Sequence, residues 1–353
     1  MEKRPIETLV AFIIAGPLIF LLYLYFFVGF NDIFEVFKQI NPYDYSLCYS
    51  LTIIALIIST LFYSMSWNEL MKALSINVSV KKSLIFCWLG LFVDLVVPLE
   101  TVSGEITRVY LVHRETGDPP GKIVASVAGH RIITTFITLG SLLSSSLFIL
   151  KRKITTEIII LMLATISGSV LLIAILLYLS LKEDAAEKLI DFLIKSADLL
   201  TRSRFNFSEI REKAQRNLSY FCSGFRSFGV NHKTLVKSVS YSLFAWLLHL
   251  SIYFLVFYAL GFSQISGKVY ETMVVYSVSM AVQATPIALP LGLVEVVMTS
   301  LYALLGVPIA ISGTATLLIR IVTFWLQIMI GYLIAQFMGI KNLLNRSRKE
   351  TST

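Results

Sequence analysis

Two stretches decide the reading: residues 105–131, EITRVYLVHRETGDPPGKIVASVAGHR, and residues 295–320, EVVMTSLYALLGVPIAISGTATLLIR. The first places Glu105 before Gly117, Pro119 and Arg131, as E-x11-G-x-P-x11-R. The second places Glu295 before Gly306, Pro308 and Arg320, as E-x10-G-x-P-x11-R. Each copy follows an apolar stretch that runs into proline, FVDLVVP ending at Pro98 and VQATPIALP ending at Pro290. An ionisable side chain in lipid is costly and faces a bundle interior or a watery path. Two matched sets, one in each half, point to a duplicated transport core, because internal repeats with broken helices are a common plan among secondary transporters.

Working outward, the chain reads as an all-α integral membrane protein. Apolar residues make up 56% of it and charged residues only 15%, which is sparse for a soluble domain. Several apolar runs reach the roughly 20 residues needed to cross a bilayer core of about 30 Å. In lipid each run must satisfy its own backbone, so each is read as a helix. About six full spans are expected, at roughly 8–29, 46–66, 121–149, 156–181, 236–261 and 311–338. The first begins after MEKRP, is too long for a signal-peptide core and lacks a clear cleavage site, so it reads as a retained helix.

Two further stretches are short and broken. Residues 83–116 and 270–306 each read as a re-entrant helical hairpin, with breaks at Pro98 and Gly104 in the first and at Pro286, Pro290 and Gly292 in the second. If both hairpins return to the side they entered, both termini are cytosolic and most of the 30 Lys and Arg fall on the cytosolic side. Lys151-Arg152-Lys153 is the one poor fit. Hairpin one then enters from the cytosol and hairpin two from outside, so residues 46–149 and 236–338 form inverted repeats. Residues 182–235 are the long polar stretch between them, read as a cytosolic amphipathic linker that connects the halves, with lipid-headgroup contact as the other possibility. Residues 339–353 are a cytosolic tail.

The buried charges carry the chemistry. Arg131 and Arg320, with Arg108 in the polar part of hairpin one, offer planar forks that suit phosphate. Glu105 and Glu295 stand beside them. One reading is a phosphate-anchoring site with protonatable glutamates; the other is a pair of salt bridges that fasten each hairpin to the next helix. Asp94 either carries a proton or cation or caps backbone freed by Pro98, and Gln283 occupies the similar place in hairpin two. Arg108 faces a lipid headgroup or is a solvated interfacial side chain. His130 and His249 lie in apolar helices, where packing and hydrogen bonding compete with a proton-relay role. His113 and His232 read as surface residues.

Several classes fall away. The net charge of +8 comes with no nucleic-acid motif, so nucleic acid is not an expected partner. Cys48, Cys87 and Cys222 are far apart and form no metal spacing. No HExxH, GxSxG or P-loop is present, so no metal site, cofactor or catalytic residue is expected.

The stretches VPLETVSGEITRVYLV and ALPLGLVEVVMTSLYALLGVP, followed by LLIR, resemble the membrane part of the lysylphosphatidylglycerol synthase/flippase family over roughly 8–338. The resemblance carries onto Pro98, Gly104, Glu105 and Arg131, and onto Pro290, Gly292, Glu295 and Arg320. It implies a lipid-translocating domain in a cell membrane, of the stand-alone form without the aminoacyl-transferase domain. In architecture the hairpin plan is similar to that of DedA-type polyprenyl-phosphate carriers. The expected function is therefore a flippase-like transporter for an anionic phospholipid or a polyprenyl-phosphate carrier. Two alternatives stay open: an accessory subunit in an envelope glycan or lipid-modifying complex, whose partners would be envelope-biosynthesis proteins, and an intramembrane enzyme acting on lipid phosphate.

Overall fold

The computed structural model describes residues 18, 20–97, 102–150, 155–188, 191–192, 208–229, 231–283 and 290–350. Pro98 and Pro286 lie outside them. The described chain is built of helices. A short one, Phe20–Val28, leads into α1 (Phe30–Lys38). Then come α2 (Pro42–Ala73), α3 (Val80–Val96), α4 (Val102–Thr116), α5 (Pro120–Ile149) and α6 (Thr156–Leu181). The linker helix is α7 (Ser208–Phe228). The second half holds α8 (His232–Ala259), α9 (Val269–Gln283), α10 (Pro290–Leu304) and α11 (Ile309–Arg320). A π-helical turn, Ile321–Leu326, joins α11 to α12 (Gln327–Glu350).

Five helices are long and apolar enough to cross a membrane: α2, α5, α6, α8 and the continuous Ile309–Gly339. They match five of the six expected spans. Of the sixth, the described part is a helix that bends by 82° into α1. The bend sits at Gly29, whose φ of 87° is open to glycine at no steric cost.

Both expected hairpins are helix pairs. Their helices have 17 and 15 residues in the first and 15 each in the second. At 1.5 Å per residue these are about 22–25 Å long, short of the bilayer core. Each pair is antiparallel. In hairpin one, Lys82 pairs with Glu115 at the open end, while Asp94 meets Ser103 and Gly104 near the tip. In hairpin two, Lys268 Nζ donates to the Leu305 carbonyl at 2.9 Å.

The G-x-P element is a helix stop followed by a helix start, built the same way twice. Gly117 (φ 75°) and Gly306 (φ 81°) take the left-handed conformation that ends α4 and α10. Pro119 (φ −57°, ψ 132°) and Pro308 (φ −53°, ψ 136°) then cap α5 and α11. The matching backbone angles make the sequence repeat a structural one.

Helices α2 and α8, which open the two repeats, pack along each other. Phe62 meets Tyr241 and Phe244, whereas Ser66, one turn on, bonds Ser238 and Ser242 at 2.8 and 2.7 Å. Rising numbers on α2 meet falling numbers on α8, so the two run antiparallel, as an inverted pair requires. Small hydroxyl residues let such helices approach closely. Each hairpin also crosses to the other half: Gly331 of α12 lies on Phe92 and the Trp88 carbonyl, and Ser277 of α9 reaches the Thr138 carbonyl of α5.

Gly104 departs from its expected role as a break. It lies inside α4, where a Cβ would collide with Asp94 and the Gly90 carbonyl. Its smallness serves the close approach of α3 and α4 instead. Pro290 begins α10, and Gly292, in its first turn, takes a φ of 87°.

The linker helix α7 is docked on protein rather than spread on a surface. Asn217 Oδ1 accepts from the Gly121 amide at 3.0 Å, Phe228 covers Gly129, and Cys222 is buried beside Leu218 and Ala186. The preceding stretch is described only at 182–188 and 191–192.

Gly117 and Gly306 are both exposed, and an inverted arrangement of the two repeats would put them on opposite faces of the membrane. Single cysteines placed at 117 or 306 in a cysteine-free background are expected to react with an impermeant thiol reagent from opposite sides. Labelling of both from one side would reject the inverted arrangement.

Candidate functional site

The two Glu–Arg pairs sit at equivalent places and differ in state. In the second, Arg320 Nε donates to Glu295 Oε1 at 2.6 Å and Arg320 Nη1 donates to Gln283 Oε1 at 3.2 Å. The other oxygen of Glu295 accepts from the Gly292 amide at 2.7 Å. Glu295 thus reaches back from the first turn of α10 to cap its own helix, as half a capping box does. Arg320 also lies over the Phe324 ring, 4.8 Å from its centre, on the π turn. Glu295 and Arg320 are each only 4% exposed. This cluster is closed.

In the first pair the capping is done by another residue. Asp94 Oδ1 accepts from the Gly104 amide at 2.6 Å and from Ser103 Oγ at 3.2 Å. The first amides of a helix have no intrahelical partner, and Asp94 supplies one. Glu105 is relieved of that work and stands 3.9 Å from Arg131 Nε, too far for a hydrogen bond. Both side chains remain 27% exposed.

They face a cavity of about 670 Å³ between the halves. Asp94, Glu105, Arg108 and Arg131 gather at one part of its wall. Arg108 is 5% exposed and lies over Trp67 and Tyr63, at 5.1 and 5.9 Å from the ring centres. Its Nη1 is buried without a hydrogen-bond partner among the described residues. A buried cation stacked on aromatic faces, with Cys87 beside it, keeps further donors for an anion. Along α5 the wall continues through Thr134, Thr135 and Thr138, and it reaches Trp246, His249 and Tyr276. Gln283 belongs both to this wall and to the closed cluster.

The residues expected from sequence thus fall into two groups. Arg131, Glu105, Arg108 and Asp94 come together at the cavity. Glu295, Arg320 and Gln283 come together in the closed cluster. His130 is buried against the Tyr63 ring, at 4.4 Å, behind the Arg108 platform. His113 and His232 are exposed. Sequence reasoning missed Tyr63, Trp67 and Trp246. Tyr63 and Trp67 are one helical turn apart in an apolar run, which reads as ordinary packing; only their spacing opposite a basic hairpin marks them. Among the described residues no group of three or more His, Cys, Asp or Glu is placed to hold a metal ion.

Antiparallel helices that open the two halves, short paired helices and a charged cavity between them describe an all-α polytopic membrane protein. A model of the lysylphosphatidylglycerol synthase transmembrane region matches residues 13–331, and the chain belongs to that family. It is similar to the UPF0104 membrane protein PH1989 of Pyrococcus horikoshii, with 26% identity over 84% of this chain and 86% of the relative. A UPF0104 membrane protein of Methanothermobacter thermautotrophicus is 25% identical over 89% of each chain. The UPF0104 membrane protein MJ1595 of Methanocaldococcus jannaschii is 22% identical over 89% of this chain and 90% of its own. No solved structure matches.

Proposed function

We propose that the protein is a lipid translocase for an anionic phospholipid or a polyprenyl-phosphate carrier, with the phosphate held by Arg131 and Arg108. The observation that carries this reading is the difference between the two pairs. Arg320 has its carboxylate and amide partners and is buried, so it fastens hairpin two. Arg131 stands apart from Glu105 at the cavity, beside an Arg108 with an unpartnered Nη1. Two guanidinium groups on one wall match the charge and geometry of a phosphate.

A phosphate that takes Arg131 removes the nearest cation from Glu105. Protonation of Glu105 then follows substrate binding, which gives proton-linked exchange a physical route. Asp94 stays bound to the amide of Gly104 and holds the tip in place. The inverted repeats supply two access paths related by pseudo-symmetry, with both termini and the linker cytosolic. No covalent step is part of this reading.

The test is translocation of a short-chain fluorescent phosphatidylglycerol by the reconstituted full chain. Lysine keeps the charge of arginine but loses its fork. Arg131→Lys is expected to slow translocation by about tenfold while the protein purifies normally, the loss of one charge-assisted hydrogen bond. An unchanged rate would remove direct phosphate gripping by Arg131.

A further inference from the structure

We infer that α1 is an interfacial anchor: it lies along one face of the membrane and sinks its aromatic side into the boundary between lipid headgroups and acyl chains. The inference is independent of what the cavity carries.

The chain path puts α1 at that boundary. The helix before it ends at Val28, and α2, long and apolar enough to cross the membrane, starts at Pro42. Only a few residues separate α1 from either, so it sits at the face where α2 begins. The preceding helix packs on the spanning α11, with Leu24 and Val28 against Gly313. An 82° bend at Gly29 then turns α1 across that direction. Its nine residues run for about 13 Å along the face rather than into the bilayer.

The sequence of α1, FNDIFEVFK, is divided three ways to suit that position. Ile33 is 8% exposed, among Phe20, Leu24 and Val28, and Val36 packs beside it against the core, where α1 meets α11. Phe30, Phe34 and Phe37 form a second stripe and are exposed, Phe34 at 62%. Asp32, Glu35 and Lys38 form a third, also exposed. At 3.6 residues per turn the aromatic and charged stripes point about 130° apart. A helix of this kind lies in the plane of the membrane surface, apolar side down and charged side up.

Neither water nor the bilayer core suits both stripes. Three phenylalanines in water forfeit their burial, and three ionisable groups in hydrocarbon are costly. Lys38 marks the level between them. Its Nζ stands 4.9 Å from the centre of the Phe34 ring and pairs with Glu35 at 2.7 Å, so the stem follows the aromatic side and the charge ends on the polar side. Tyr25 and Tyr43, before and after α1, are both exposed, and tyrosine is enriched at this level of a bilayer. Two acids and one base offer no attraction to anionic lipid, so the contact is apolar and a zwitterionic bilayer is enough. Seated this way, α1 ties the start of α11 to the membrane face.

Nitroxide labels test this in the full chain, freed of its native cysteines and reconstituted in phosphatidylcholine vesicles. Phe30→Cys, Phe34→Cys, Phe37→Cys, Asp32→Cys and Glu35→Cys are labelled one at a time. Collisions with oxygen, which concentrates in lipid, are compared with collisions with a water-soluble nickel chelate. The three Phe positions are expected to favour oxygen, about 5–10 Å into the boundary region and at depths that agree within about 3 Å. The two acidic positions are expected to favour nickel. A depth that changes steadily by about 10 Å from residue 30 to residue 37 makes α1 the second limb of a broken span and overturns the anchor. Preference for nickel at all five positions lifts α1 clear of the membrane and overturns it too. So does poor access of both reagents to the Phe positions, which means that protein covers that face. All five side chains are exposed, so labelling leaves the core intact. If one Phe variant does not purify, the other two still report the slope.

Discussion

Arg320→Ala should be the most damaging single substitution in the chain, at a cost of about 3–5 kcal/mol. It leaves Glu295 buried with one of its two oxygens unpaired, because only the Gly292 amide remains. It also leaves Gln283 without the donor that ties α9 to the cluster. Removal of one partner from a buried charge pair costs far more than the pair contributes, since an uncompensated charge stays in a low dielectric. The measurement is the thermal midpoint in detergent, with Arg131→Ala as the comparison. Arg131 is half-open and 3.9 Å from its acid, so its loss should shift the midpoint little. Equal shifts for the two arginines would show that the closed and open states do not differ in energy.

The second large effect runs the other way. Arg108→Met should abolish phosphate-dependent binding and leave the protein as stable as the wild type, or more so. Arg108 is 5% exposed and its Nη1 lacks a hydrogen-bond partner among the described residues, so the folded state carries a desolvation cost that Glu105 and Asp94 offset without a contact ion pair. Methionine fills a similar volume with no charge and keeps contact with Trp67 and Tyr63. A buried group that weakens the fold is what a stability–activity trade-off looks like at a binding site. Stability by thermal melt and lipid affinity by competition are read on the same preparation. A large drop in the melt would assign Arg108 a fastening role like that of Arg320.

How much of this was legible beforehand follows from what each signal depends on. The G-x-P element was legible because it works through backbone angles, and glycine and proline write those angles into the sequence. The hairpins were legible because they are too short to span and are broken by proline. The asymmetry between the pairs was not. Both copies spell Glu and Arg, and what separates them is which residue caps the second hairpin helix. Asp94 does it in one half and Glu295 does it for itself in the other. Asp94 and Gln283 were visible as counterparts, but the sequence does not say which of them meets a backbone amide and which meets an arginine. The π turn that begins at Ile321 was equally silent, since IVTFWL reads as any apolar helix. Gly104 reads as a break only through the resemblance of VPLETVSGE to the family motif; here it serves contact between two helices.

The docked linker helix has a consequence for assembly. Gly121, Ala125 and Gly129 stand four apart on α5, and a small-xxx-small ridge of this kind is commonly read as the seam along which two copies of a membrane helix pair. In this chain the seam is already occupied. Asn217 lies on Gly121, Gly224 lies on Ala125 and Phe228 lies on Gly129. Self-association through that face would first require α7 to leave it, so a search for a dimer contact should begin elsewhere on the molecule.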